Sequence, residues 1–295
     1  MRSRAASLRS CFVVLVGLAA IWAGCSASER SPLSGDFGLG GGTGATGGGG
    51  GSSGSGGSGP GANCPKGKGP DMIVVADPAD STRHFCIDES EVTVANYDSF
   101  AKDKTVDLSK QPGACSFNKT VVVDTSADGC TPPYLLPEDA KRPVGCIDWC
   151  DAWLYCSWAG KRLCGTVGGA GSDGSHFGDS SSQWYAACSL FGTSKYAYGD
   201  AYADGMCKFS GIPDAVMTNT QCVGGVPGLY DMSGNVGEWT DECATAAGQF
   251  RCMARGGAVG DDGAVDGACA PASPVFVDAS RHARAVGIRC CADLL

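Results

Sequence analysis

The sequence predicts a secreted, loop-rich and disulfide-rich domain in which a few short strands and helices are joined by long irregular segments. Two observations lead to this prediction. Sixteen of the 18 cysteines lie between Cys64 and Cys291, an even number, and the chain has no C-x-x-C pair and only three histidines for a zinc site. The same stretch is rich in Gly, Asp and Ser and poor in apolar periodicity. We therefore expect up to eight disulfides, each stabilising the fold by about 2–4 kcal/mol.

The first residues predict export and lipidation. A basic start and a short apolar stretch indicate a signal peptide over residues 1–24, too short to span a bilayer. The segment ending at Cys25 resembles the bacterial lipobox, which makes Cys25 the expected lipidation site. Trp22 departs from the aliphatic residue of that motif, so ordinary cleavage near Ala27 is the alternative. Ser26, where an Asp would favour the inner membrane, favours the outer membrane.

Residues 25–63 predict a flexible tether, because 15 of the 24 residues from Gly38 to Gly61 are glycine. A flexible linker of this length spans roughly 30–40 Å. The remaining residues, 64–295, contain no second linker and predict a single domain. The organisation is therefore an anchor, a tether and one head domain.

Charge limits the partners that we expect. After removal of the signal peptide the chain carries 19 Lys and Arg against 31 Asp and Glu, a formal charge of −12. Such an acidic protein is not expected to bind nucleic acid or anionic lipid, so its membrane contact would be through the lipid alone.

Three short segments predict strands. They are Ile73–Val75, Arg83–Ile87 and Val121–Val123.

Helical spacing of apolar residues predicts three helices. They are Val94–Lys102 with Thr93 as its cap, Asp148–Ala159, and the shorter Ser182–Ser189.

The most informative segment is Gly228–Asp241, GLYDMSGNVGEWTD, which has neither helical nor strand periodicity. Its glycines, Asn and acids among apolar residues predict an ordered, buried loop. The spacing of Asp231 and Glu238 suits a bound hard cation such as calcium, and the alternative is a tight turn whose acids accept backbone hydrogen bonds.

Several separated segments together resemble the formylglycine-generating enzyme, or sulfatase-modifying factor, family. GLYDMSGNVGEWTD is similar to the family signature G-L-Y-D-M-x-G-N-V-W-E-W-T, with Gly237 in place of its Trp. The other matching segments, in family order, are Phe85–Phe100, Arg142–Leu163, Gln183–Ala187, Ala254–Val259 and Ala285–Cys290. The resemblance covers nearly all of residues 64–295.

This resemblance implies one compact α+β domain with little regular structure, of the C-type-lectin-like shape. It also implies calcium in the signature loop. The ligands would be the side chains of Asp231 and Glu238 and the backbone carbonyls of Gly234 and Val236, all oxygen donors.

Oxidase chemistry in the family requires two cysteines that bind copper, because Cu(I) prefers thiolates. The matching positions here are Asp261 and Asp266. The nearest cysteines, Cys252 and Cys269, lie on opposite sides of the motif and are expected to form disulfides. We therefore expect neither copper nor catalytic residues. The acids from Asp261 to Asp266 are best interpreted as a solvated loop, although they suit a second cation or a basic ligand.

These observations favour a lipid-anchored, non-catalytic binding domain of the cell envelope. Its ligand would be a protein, a peptide or a glycan. The alternatives are a formylglycine-generating oxidase with displaced cysteines and a purely structural envelope lipoprotein.

Overall fold

The structure of the protein, a computed structural model, describes residues 63–126, 130, 139–272 and 275–295. The predicted signal peptide, Cys25 and nearly all of the predicted tether lie outside the described residues. Within them, eight strands and three α-helices are joined by long loops, with short 3-10 helices at Leu108–Lys110 and Gly113–Cys115. The predicted α+β class with long loops is therefore confirmed.

The first sheet is antiparallel and joins both ends of the described chain. Its strands are β1 (Met72–Ala76), β2 (His84–Asp88), β3 (Arg162–Leu163) and β8 (Cys290–Ala292). They lie in the order β1-β2-β8-β3, so the last strand pairs between elements formed much earlier in the sequence. β1 and β2 correspond to two of the predicted strands.

The second sheet is mixed. Its strands are β4 (Gly237–Ala246), β5 (Gln249–Arg255), β6 (Phe276–Asp278) and β7 (Val286–Ile288). They lie in the order β6-β5-β4-β7, and only β4 and β7 are parallel. The β4–β5 hairpin closes through Ala247 and Gly248, both at positive φ (50° and 79°), as a type I′ turn requires.

All three predicted helices are present. They are α1 (Val94–Ala101), α2 (Trp149–Trp158) and α3 (Gln183–Ser189). Each begins after a polar residue, Thr93, Asp148 or Ser182, whose side chain accepts a hydrogen bond from a backbone N–H of the first turn. These bonds satisfy donors that have no partner inside the helix, which explains where the helices begin.

The predicted strand at Val121–Val123 is wrong. Val122 is 65% exposed, and the carbonyl of Val121 accepts a hydrogen bond from the Tyr97 hydroxyl at 2.9 Å. Side chains of Asn118 and Thr120 accept hydrogen bonds from N–H groups two residues further on. Local side-chain bonds of this kind stabilise turns in place of a sheet ladder.

Two apolar clusters form the core of the described unit. The first packs α1 and α2 against the second sheet and includes Trp149, Tyr155 and Trp239, whereas the second surrounds Trp184 and Leu229. In the part of the chain that the structure describes, no helix is long and apolar enough to cross a membrane.

All sixteen cysteines from Cys64 to Cys291 form disulfides, which confirms the expected eight. The pairs are Cys64–Cys86, Cys115–Cys150, Cys130–Cys146, Cys156–Cys290, Cys164–Cys291, Cys188–Cys269, Cys207–Cys222 and Cys243–Cys252. The adjacent Cys290 and Cys291 tie β8 to α2 and to the residue after β3. So many disulfides are typical of proteins that mature in an oxidising, extracytoplasmic compartment.

Candidate binding cleft and buried loop

The run Gly228–Asp241 is a buried loop only as far as Val236, because β4 begins at Gly237. Its first half is buried as predicted, whereas its second half corrects the expectation of a loop throughout. Glu238 and Trp239 are neighbours in the strand and both are buried. A strand covered on both faces does not alternate between apolar and polar residues, so its sequence lacks the expected period.

Asp231 lies within the loop in the left-handed backbone region, with φ at 59°. Its Oδ2 accepts a hydrogen bond from the N–H of Met217 at 2.7 Å. Burial raises the pKa of this carboxyl.

Glu238 is held by two donors. Its Oε1 accepts from Nε of Arg289 at 2.8 Å, and its Oε2 accepts from the Trp184 indole at 2.6 Å. Arg289 also donates to the carbonyls of Asp88 and Tyr230. Glu238 and Arg289 thus form a buried ion pair beside the loop.

A third acid, Glu91, lies against the same loop. Its carboxylate accepts from the Asn235 side chain at 3.3 Å and from the Val236 N–H at 3.4 Å. We call Glu91, Asp231, Glu238 and Arg289 the loop cluster. Burial is the main cause that raises the pKa values of its three acids, and the Asp231 charge raises that of Glu91 further.

Asp231 and Glu238 are both buried, and the charge of Asp231 contributes to the raised pKa of Glu238. Their role as calcium ligands stays a prediction. Glu91 and Arg289 were not among the residues predicted for this site. Glu91 lies on the N-terminal side of α1, and Arg289 lies at the end of the chain. In the sequence, the one indication of their importance was that both lie in segments that resemble the family.

A cleft of about 270 Å³ opens at the end of the second sheet. It is lined by Gly237 of β4, the end of β5, the loop that follows β5, and the segment between β6 and β7. Asp261 and Asp266 both line it. Cys269 also lines the cleft, and its sulfur is bonded to Cys188.

Hydrogen bonds from backbone N–H groups hold the acidic loop, residues 261–266, in place at the cleft. Oδ2 of Asp261 accepts from the Ala258 N–H at 2.8 Å, and Oδ2 of Asp266 accepts from the Asp262 N–H at 3.1 Å. Gly257, at φ 66°, passes so close to Asp266 that a Cβ there would lie 2.9 Å from its backbone. Burial, and then the charge of Asp266, raises the pKa of Asp261.

Arg255 supplies a buried cation to the wall of the cleft. Its Nε and Nη2 donate to the carboxylate of Glu242 at 2.5 and 2.8 Å, and its guanidinium lies 5.0 Å from the centre of the Phe177 ring. Its Nη1 is buried and has no hydrogen-bond partner among the described residues. An unpaired buried donor of this kind costs free energy.

Gly237 enlarges the cleft where the family signature has Trp. A Cβ at this position would lie 3.5 Å from the Ala285 carbonyl and 3.6 Å from that of Arg255, which are ordinary contacts. The backbone therefore tolerates a side chain here, and glycine leaves the space open.

These features define a disulfide-rich α+β domain with a cleft at one sheet end and a buried loop beside it. The model of the sulfatase-modifying factor enzyme 1-like domain (FGE-sulfatase) matches residues 74–294, and the chain belongs to this family.

Three solved structures are similar to this chain. The crystal structure of CarF shares 19% identity, covers 77% of this chain and 96% of its own, and has a TM-score of 0.47. PvdO from Pseudomonas aeruginosa shares 16% identity, covers 76% of this chain and 94% of its own, and has a TM-score of 0.46. Treponema denticola variable protein 1 shares 17% identity, covers 75% of this chain and 94% of its own, and has a TM-score of 0.45. Among curated proteins, none matches this chain.

Proposed function

We propose that this domain binds a ligand in the cleft and does not generate formylglycine. One observation carries the proposal. The two positions that would hold copper are Asp261 and Asp266, while all sixteen cysteines from Cys64 to Cys291 are paired in disulfides. Carboxylates are poor ligands for Cu(I), so these residues do not fit the copper of the family's oxidases.

The chemistry of the cleft favours a peptide ligand that carries a basic side chain. Asp261 and Asp266 supply negative charge for the basic side chain, and Arg281, which also lines the cleft and is exposed, supplies a donor suited to a peptide carbonyl. Apolar residues such as Val277 and Val286 line the rest of the cleft. Small numbers of polar groups in a largely apolar cleft are typical of binding sites.

An assay of formylglycine formation would distinguish a binding domain from an oxidase. The disulfide-bonded protein would be incubated with copper, oxygen and a cysteine-containing sulfatase peptide, and the peptide would be analysed by mass spectrometry. We expect no conversion of cysteine to formylglycine. Conversion that disappears in Cys252→Ser or Cys269→Ser would overturn the proposal in favour of an oxidase with displaced cysteines.

Filling the cleft tests where the ligand binds. The wild-type protein would be used to select ligands from a displayed peptide library, and their affinities would be compared in Gly237→Trp and Gly113→Trp. Gly113 is a matched control because a Cβ there meets nothing within 4 Å. We expect at least a tenfold loss of affinity in Gly237→Trp alone. Equal affinity in both variants, or no selected peptide, would favour a purely structural role.

We further propose that calcium binds beside the loop cluster, through the side chains of Asp231 and Glu238 and the backbone carbonyls of Gly234 and Val236. Three buried carboxylates face one guanidinium there, and this excess of negative charge supports a bound cation. Glu238 already accepts bonds from Arg289 and Trp184, so it would use its remaining lone pairs. The proposed location of the domain is the cell envelope, where a lipid on Cys25 attaches it to the outer membrane.

A further inference from the structure

A separate group of polar side chains lies at the start of α2. Asp148 is the N-cap of this helix, Asp151 lies in its first turn, and His282 follows β6. One ligand atom from each of the three residues lies within 4.8 Å of the other two. We call these residues the helix-start cluster. The proposed calcium and peptide sites use none of them.

Asp151 has one carboxylate oxygen without a partner. Its Oδ1 accepts from the Asn118 amide at 2.9 Å, whereas its buried Oδ2 has no hydrogen-bond partner among the described residues. Nε2 of His282 lies 3.8 Å from Oδ2, which is too far for a hydrogen bond. A buried carboxylate oxygen left in this state is costly, and native proteins usually satisfy such atoms.

The two carboxylates of the cluster also lack compensation by a full positive charge. Asp148 and Asp151 are both buried, and within the described residues their one ion-pair contact is to His282. Tyr97, the other titratable group that interacts with both acids, donates its hydroxyl to the Val121 carbonyl instead. A divalent cation would neutralise both charges.

We propose that Asp148, Asp151 and His282 bind a divalent transition-metal ion, for which Zn²⁺ is the probe. An imidazole nitrogen among the ligands favours zinc over calcium, which prefers oxygen alone. Three protein ligands leave a fourth tetrahedral position for water or a ligand. The Asn118 amide would orient Asp151 from behind, as hydrogen-bonded partners of metal ligands do.

The geometry allows the ion to bind with a small movement. Tetrahedral zinc places its ligand atoms about 3.3 Å apart, whereas those of the cluster lie within 4.8 Å of one another, so the cluster must contract by up to about 1.5 Å. The His282 side chain is 24% exposed, which leaves it free to move and gives the ion a path from solvent. Its neighbours Arg281 and Ala283 line the cleft, so the ion would connect α2 to one wall of the cleft.

The test is a zinc titration of the calcium-saturated protein by isothermal calorimetry and thermal denaturation. We expect one zinc ion per chain, a raised Tm, and at least a tenfold weaker affinity in His282→Ala and in Asp151→Asn. His176→Ala is the matched control, because its Nδ1 also lies 3.8 Å from a carboxylate, that of Asp179, but both side chains are exposed.

Two outcomes would overturn the proposal. One is the absence of saturable zinc binding to the wild-type protein. The other is binding that is unchanged in His282→Ala, or weakened as much in His176→Ala. His282→Ala removes a partly exposed side chain, so this variant is expected to retain its eight disulfides and its fold, as circular dichroism and thiol titration would check.

Discussion

At the scale of single residues, the main feature of this domain is the set of charged side chains buried in the loop cluster. Glu91, Asp231 and Glu238 are buried around Arg289, and the guanidinium bonds to only one of the three carboxylates. The other two acids accept hydrogen bonds from backbone and amide donors. Charges buried in this way are stable only when they are paired, protonated or bound to a cation.

Calcium binding at the loop cluster predicts a stabilisation that depends on Asp231. In protein freed of metal with a chelator, calcium at 100 times its dissociation constant should stabilise the fold by about 2.7 kcal/mol. Asp231→Asn removes a charged ligand and should abolish the rise in Tm. Asp98→Asn, at an exposed carboxylate, should retain it. A wild-type Tm that calcium does not change would contradict the prediction.

Sequence reasoning identified half of the loop cluster. Asp231 and Glu238 are visible because two acids stand among glycines and apolar residues within one short run. Glu91 contacts Asn235, 144 residues further along the chain. No local pattern records such a contact, because it depends on how the loop packs against the segment before α1.

At the scale of elements, the predictions that were correct are those that depend on residues close together in the sequence. The helices were predictable because their capping residues and apolar spacing lie within the helix sequence itself. The β4–β5 hairpin was not predicted. Its turn uses Ala247 at positive φ in place of the usual Asn or Asp, and the first four residues of β4 are all buried, so they show no alternation.

Disulfides that join distant elements should contribute more stability than the one within the hairpin. Cys188–Cys269 closes 81 residues of chain and Cys243–Cys252 closes 9. The loop-entropy model gives about 4.5 and about 2.6 kcal/mol for these lengths. We expect the double variant Cys188→Ala with Cys269→Ala to lose about one and a half times as much unfolding free energy as Cys243→Ala with Cys252→Ala in urea titrations, because the remaining disulfides shorten the longer loop. Equal losses would contradict this order.

At the scale of the whole molecule, the first sheet, α2 and the C-terminal strand are held together by one buried ion pair and two disulfides. Lys161 lies next to β3 and donates to Asp88 of β2 at 2.6 Å, and Asp88 also accepts from the N–H of Cys290 in β8 at 3.0 Å. Both side chains of the ion pair are completely buried. Burial outweighs the attraction of Lys161 and raises the pKa of Asp88 to about 6.

This raised pKa predicts that the domain loses stability as the pH rises from about 4 to 6. The carboxyl titrates near 3.8 in the unfolded chain and near 6 in the fold, so in this window the folded state holds a proton that the unfolded state releases. The contribution is complete below the lower value and lost above the higher one. Since one pKa unit corresponds to about 1.4 kcal/mol, the unfolding free energy should fall by up to about 3 kcal/mol.

Two measurements separate this effect of Asp88 from those of the other acids. Carbon-detected NMR of the wild-type carboxyl groups should show Asp88 titrating near pH 6. In Asp88→Asn the fall in unfolding free energy between pH 4 and 6 should be smaller, although the variant is less stable at every pH because Lys161 stays buried without its partner. An Asp88 carboxyl that titrates below pH 4, with stability rising through the window, would mean that the attraction of Lys161 outweighs burial.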